Sequence, residues 1–164
     1  MRAALAQIEF IKDIIEKESE GESDILVFYP LSDEVDIRPV FDEIRESGHR
    51  LYFPVTSDDD MDFFLAGESF DFRPAALGVM EPVDKSRPYR YGRGQTICLT
   101  PGTVFSIKKQ RKGRGKGYYD RFFSDKPDIF KIGVTTEAQI VDEMETNPWD
   151  VDMDAVVTEE RIIR

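Results

Sequence analysis

The chain has 164 residues, 40% hydrophobic and 12% aromatic, which suits one buried core and is cramped for two, so a single domain over residues 1–164 is expected. The lone Cys98 excludes an internal disulfide, no apolar run nears the roughly 20 residues that cross a bilayer, and the charged opening lacks a secretory apolar run, so a cytoplasmic protein with no membrane partner is expected. A net charge of −11 speaks against general nucleic-acid affinity, because most of such a surface repels a phosphate backbone.

Residues 3–17 place Leu5, Ile8, Ile11 and Ile15 at helical spacing, with Lys12, Glu16 and Lys17 off that face, which predicts a core-packing helix. Residues 24–29 are a short apolar run closed by Pro30, the pattern of a buried parallel strand. Asp36 is placed to cap a helix that admits Pro39 in its first turn, turns Val40, Phe41 and Ile44 inward, and stops at Gly48. Residues 51–55 read as a second strand that Pro54 should end. After Asp58, Asp59, Asp60 and Asp62, a short strand is expected at 63–65. The Gly-, Pro- and Arg-rich stretch from there to Gln95 reads as a lid, a ligand wall or a surface meander.

A central strand at 96–100 leads through Pro101 and Gly102 into a basic loop, followed by a helix from Tyr118, a strand at 129–134, a helix at 137–144 and a last strand at 155–158. Strands alternating with helices imply an α/β fold, an open, mostly parallel sheet with helices on both faces in a three-layer, Rossmann-like arrangement. In such sheets ligands sit at the carboxyl ends of strands, which is where the basic loop lies.

That loop, residues 108–116, carries Lys108, Lys109, Arg111, Lys112, Arg114 and Lys116 and no acid. Gly113, Gly115 and Gly117 remove every second Cβ, so successive backbone N–H groups can turn toward a phosphate that the cations attract. A helix starting at Tyr118 would add its own positive end. The run is not a Walker A loop, since Gly117 rather than Ser or Thr follows Lys116, and its strict alternation is not the dinucleotide fingerprint. The match to an RNA-binding RNP1 strand is partial, because Tyr119 and Asp120 stand where a small residue and an aromatic are wanted. Asp150, Asp152 and Asp154 share a face if extended, but Ala155 and Arg161 exclude an EF-hand.

The run from Gly113 through Gly115, Lys116, Gly117, Tyr118 and Tyr119 to Asp120 resembles the ATP-binding loop of the 5-formyltetrahydrofolate cyclo-ligase family. The segment from Tyr29 to Asp36, Phe53 with Pro54, Glu81 with Pro82, Pro101 with Gly102 and Phe105, and the stretch from Trp149 to Thr158 resemble other family segments in order and spacing. The resemblance implies ATP-dependent closure of 5-formyltetrahydrofolate to 5,10-methenyltetrahydrofolate, with ATP and Mg2+ required and a monomer expected. It implies Lys116 and Arg114 as catalytic cations, and Arg111, Lys112, Gly113, Arg114, Gly115, Lys116, Gly117, Tyr118 and Tyr119 around ATP. Tyr29, Glu34, Met61, Phe105 and Tyr118 would meet the folate, and Asp120 and Asp150 the magnesium. This sequence departs from the family pattern in offering only Arg2 where a basic N-terminal helix is usual, Leu77 for an aromatic, Lys112 for a leucine and Ser106 for an aspartate. A second reading is a non-catalytic nucleotide- or folate-binding protein on the same fold, and a third is an RNA-binding module using the basic loop.

Overall fold

The computed structural model describes residues 4–164; Arg2 and the Leu77 side chain lie outside the described residues. A first helix, α1 (Leu5–Glu18), precedes strand β1 (Asp24–Leu26), helix α2 (Pro39–Glu46) and a hairpin of β2 (Arg50–Ser57) and β3 (Asp60–Leu65). A small hairpin of β4 (Phe72–Pro74) and β5 (Met80–Pro82) interrupts the long connection to β6 (Thr96–Thr100). Next come β7 (Val104–Ser106), β8 (Arg111–Lys112), the short helix α3 (Tyr118–Phe123), β9 (Phe130–Val134), β10 (Ile140–Val141), β11 (Ala155–Val157) and β12 (Ile162–Ile163).

Seven strands form the central sheet in the order β12-β11-β9-β6-β1-β2-β3. The five inner strands are parallel, and β3 and β12 close the edges antiparallel. Alternate residues of the inner strands feed two cores, which is why their sequences read as continuous apolar runs. Ile25, Leu51, Ile97, Leu99, Ile132 and Ala155 meet Ile8, Ile11 and Ile15 of α1 and Val40, Phe41 and Ile44 of α2 on one face. Leu26, Tyr52, Cys98 and Val156 meet Phe105, Phe122, Phe123 and Met153 on the other. The expected open, mostly parallel α/β sheet is therefore present, with two helices on one face and α3 beside a three-stranded sheet of β10, β7 and β8 on the other. No helix among the described residues is long and apolar enough to cross a membrane.

Four expectations need correction. Leu5 is 83% exposed rather than core, because it opens the helix one turn before the packed stripe. Pro54 does not end β2. The register puts its missing N–H on the β1 side beyond Leu26, where β1 has already stopped, so no ladder bond is lost. Asp36 does not sit at the residue flanking α2. Its carboxylate accepts instead from Arg38 N at 3.1 Å, one turn ahead of Pro39. The helix expected at 137–144 is a single 3-10 turn, Glu137–Gln139, followed by β10, because Ile140 pairs with Phe105 in the small sheet.

Candidate active site

Three segments gather at the carboxyl ends of β1, β2 and β6, and side chains tie them together. After β1 the chain passes Tyr29, whose ring packs on Phe72 at 4.9 Å with the Arg38 guanidinium 5.8 Å above it. It then turns at 31–34, where Glu34 N donates to Leu31 O at 3.0 Å and Glu34 Oε1 accepts from Leu31 N at 2.8 Å. This reciprocal closure holds the Glu34 carboxylate in a mostly buried position. Burial raises its pKa above the ordinary glutamate value, opposed by the Leu31 N–H and by Arg114.

After β6 the chain forms the β7–β8 hairpin and enters the glycine run. Arg111 is buried within it. Its Nε donates to Pro101 O at 2.7 Å and its guanidinium lies 5.0 Å over the Tyr119 ring. Burial lowers the Arg111 pKa, with Tyr119, Asp120 and Asp150 among the groups that pull it back up. Gly113 is needed for close approach: a Cβ there would meet Arg111 Nη2 at 2.8 Å. Gly115 and Gly117 adopt φ of 92° and 70°, the left-handed conformation that side chains resist. Arg114 leaves the loop and bonds Asp33 Oδ1 at 2.6 Å, with Glu34 Oε2 at 3.9 Å. The Arg114 hydrogen bond holds the Asp33 carboxyl below its ordinary value. The expected basic loop is thus docked directly on the β1–α2 connection. Lys112 and Lys116 are exposed, and Lys116 makes no hydrogen bond or ion pair with any described residue.

The third segment is the tip of the β2–β3 hairpin. Tyr118 Oη donates to Asp58 O at 3.0 Å and Arg121 Nε to Asp59 O at 2.8 Å, so α3 carries the tip. On the far side of α3, Asp120 Oδ1 accepts from Val151 N at 3.0 Å, while Asp150 Oδ2 accepts from Asn147 N at 2.8 Å. Among the described residues no group of three or more His, Cys, Asp or Glu side chains could cage a metal. Asp120 and Asp150 each leave one carboxylate oxygen outside these bonds. That donor set fits a magnesium ion that arrives on phosphate oxygens and keeps its waters, rather than one bound by protein alone.

The sequence-predicted residues fall into two groups. Glu34, the glycine run, Arg111, Arg114, Tyr118 and Asp120 are tied together by contacts of the loop and α3, and Asp150 directly precedes Val151, whose N–H bonds Asp120. Met61 and Phe105 do not face the loop surface: both are buried, and Phe105 has no exposed area, because Gly102 and Gly133 let the chain close on its ring. A direct folate contact by Phe105 is therefore replaced by a packing role. Tyr119 is held between Arg111 and Phe123, 6.0 Å from the latter ring. Sequence reasoning gave Asp33 no role, although it lies in the family-like segment from Tyr29 to Asp36, and missed the carbonyls of Asp58, Asp59 and Pro101, which carry no side-chain signal at all.

Residues 6–159 match the model of the 5-formyltetrahydrofolate cyclo-ligase family. Among curated relatives, a probable 5-formyltetrahydrofolate cyclo-ligase of Caenorhabditis elegans is 30% identical over 146 residues, covering 81% of this chain and 71% of the relative. The Escherichia coli K12 5-formyltetrahydrofolate cyclo-ligase is 26% identical over 152 residues, 84% of this chain and 79% of its own. Among solved structures, the Aquifex aeolicus 5,10-methenyltetrahydrofolate synthetase superposes with a TM-score of 0.78 at 26% identity, covering 97% of this chain and 79% of that one. The Mycoplasma pneumoniae 5,10-methenyltetrahydrofolate synthetase, at 20% identity and a TM-score of 0.69 over 94% of this chain and 83% of its own, shares the fold. With a family match over nearly its whole length, the chain belongs to the 5-formyltetrahydrofolate cyclo-ligase family.

Proposed function

We propose that this chain is an enzyme that uses ATP to close 5-formyltetrahydrofolate to 5,10-methenyltetrahydrofolate, releasing ADP and phosphate. The observation that carries this reading is the Arg114 bridge to Asp33 and Glu34, which puts a glycine-rich cation loop and a carboxylate of raised pKa side by side at the carboxyl ends of the central strands β1 and β6. The formyl oxygen of the substrate is a poor leaving group. Transfer of the γ-phosphoryl group of ATP onto it creates a good one. N10 then attacks the formyl carbon, loses its proton to solvent, and the phosphate departs with the C–O electron pair.

Phosphoryl transfer asks a protein mainly for alignment and for cations around spreading oxygen charge. Lys116, exposed and unpaired among the described residues, is free to follow the transferring group, and the loop amides around Gly115 and Gly117 would cradle the phosphates. Arg111 is fixed by Pro101 and Tyr119, so it serves as a preorganised charge. Glu34 would accept N–H groups of the reduced pterin, and Tyr29 and Tyr118 would border it. Magnesium, held by Asp120 and Asp150, would neutralise charge on the phosphate oxygens.

The test is the appearance of methenyl absorbance when the protein meets 5-formyltetrahydrofolate and Mg-ATP. Lys116→Ala should lower turnover on the order of a hundredfold while leaving the thermal midpoint unchanged, since the side chain is exposed and unpartnered among the described residues. An unchanged rate would remove the lysine from the chemistry. ATP binding with no product at high enzyme concentration would favour a non-catalytic binding protein.

A further inference from the structure

Trp149 is the one tryptophan of the chain and stands 67% exposed. Single exposed apolar side chains are ordinary, so its placement carries the argument. Asn147 and Asp150 close a four-residue turn from both directions: Asp150 N donates to Asn147 O at 3.0 Å, and Asn147 N donates to Asp150 Oδ2 at 2.8 Å. Pro148 and Trp149 occupy its two central positions, where proline presets the backbone. The next residue, Val151, donates its N–H to Asp120 of α3 at 3.0 Å, and α3 begins immediately after Gly117. A turn closed by two hydrogen bonds and anchored on the helix that follows the glycine run therefore presents an exposed indole.

The loop has two sides. Arg114 reaches toward Asp33 and Glu34, the proposed folate side. Arg111 lies over Tyr119, and the next residue of α3, Asp120, accepts from Val151 N at 3.0 Å, which ties the other side of the loop to the turn that holds Trp149. Phosphates lying in the loop would leave the purine free to extend away from the folate, toward the indole. We propose, resting on the ATP-dependent reading above, that Trp149 is the stacking platform for the adenine base, whereas the loop itself reads only phosphate.

Because Trp149 is the only indole, its fluorescence reports directly on this contact in the unaltered protein. Mg-ATP and Mg-ADP should quench it saturably, and inorganic tripolyphosphate, which fills the phosphate loop without a base, should not. Trp149→Ala should raise the KM for ATP roughly tenfold, the scale of one base–aromatic stack, with kcat and the KM for folate near unchanged. Trp149→Phe should restore most of the loss and Trp149→Leu should not. Two results would overturn the proposal while leaving the ATP-dependent reading intact: saturable ATP binding by equilibrium dialysis with no fluorescence change, or quenching by tripolyphosphate or by 5-formyltetrahydrofolate alone. Dialysis that detects no ATP binding would overturn both.

Discussion

Glu34, in the role proposed for it, would serve the site at a cost to the fold. Its carboxylate is mostly buried, and burial is the leading cause of its raised pKa. A raised carboxyl pKa means that between the unfolded and folded values the native state holds the extra proton, so stability falls as pH rises through that window. Glu34→Gln keeps the oxygen that accepts from Leu31 N and removes the charge. Its urea midpoint at pH 7.5 should therefore equal or exceed that of the parent, and the parent's downward slope above the ordinary glutamate pKa should flatten. The same change should raise the KM for folate by about ten- to a hundredfold, the worth of a hydrogen bond to a charged group. A variant that lost stability at neutral pH and kept its folate KM would show Glu34 to be structural. The sequence exposed Glu34 only through the family resemblance, because the turn that buries it is made by backbone groups of Leu31 that no side-chain pattern encodes.

At the scale of elements, the small sheet of β7, β8 and β10 fixes the cation loop to the core, and Phe105 is its wedge. The ring is fully buried, a Cβ on Gly102 would come within 2.8 Å of it, and Gly133 of β9 also lies against it. Phe105→Ala should cost about 3–5 kcal/mol of unfolding free energy and Gly133→Ala about 1–3 kcal/mol, measured by urea denaturation. Both should leave the folate KM of the remaining folded enzyme within about twofold, in contrast to what a substrate contact at Phe105 predicts. The inner strands were legible because both of their faces are buried, so each reads as an unbroken apolar run. The small sheet was not. Its strands are two or three residues long, and β10 lies in a stretch, Glu137 to Met144, whose composition favours helix; pairing of Ile140 with Phe105 overrides that local preference. The glycine run was legible because its spacing states a backbone requirement, which the positive φ of Gly115 and Gly117 and the crowding at Gly113 express in different ways.

The whole molecule sets which anions can use the loop. Its cations belong to a chain whose net charge, loop included, is −11, and the acids Asp33, Glu34, Asp120 and Asp150 stand around the loop itself. A nucleotide needs only the few phosphate positions inside that ring. A polyanion must also cross the acidic surface, and its affinity grows only with the number of phosphates it can neutralise. The protein should therefore show no retention of a 20-nucleotide RNA at micromolar concentration and 150 mM salt, while Mg-ATP raises its thermal midpoint. At a nucleotide concentration about a hundredfold above Kd, linkage supplies about 2.7 kcal/mol, or roughly 5–10 °C for a domain of this size. Lys116→Ala should shrink that shift without moving the midpoint of the ligand-free protein. Salt-sensitive RNA retention with no thermal response to ATP would reverse the assignment and make the loop a nucleic-acid element. A thermal response to ATP that RNA cannot compete away would instead show that the acidic body gates the loop by size, admitting a short polyphosphate and excluding a long one.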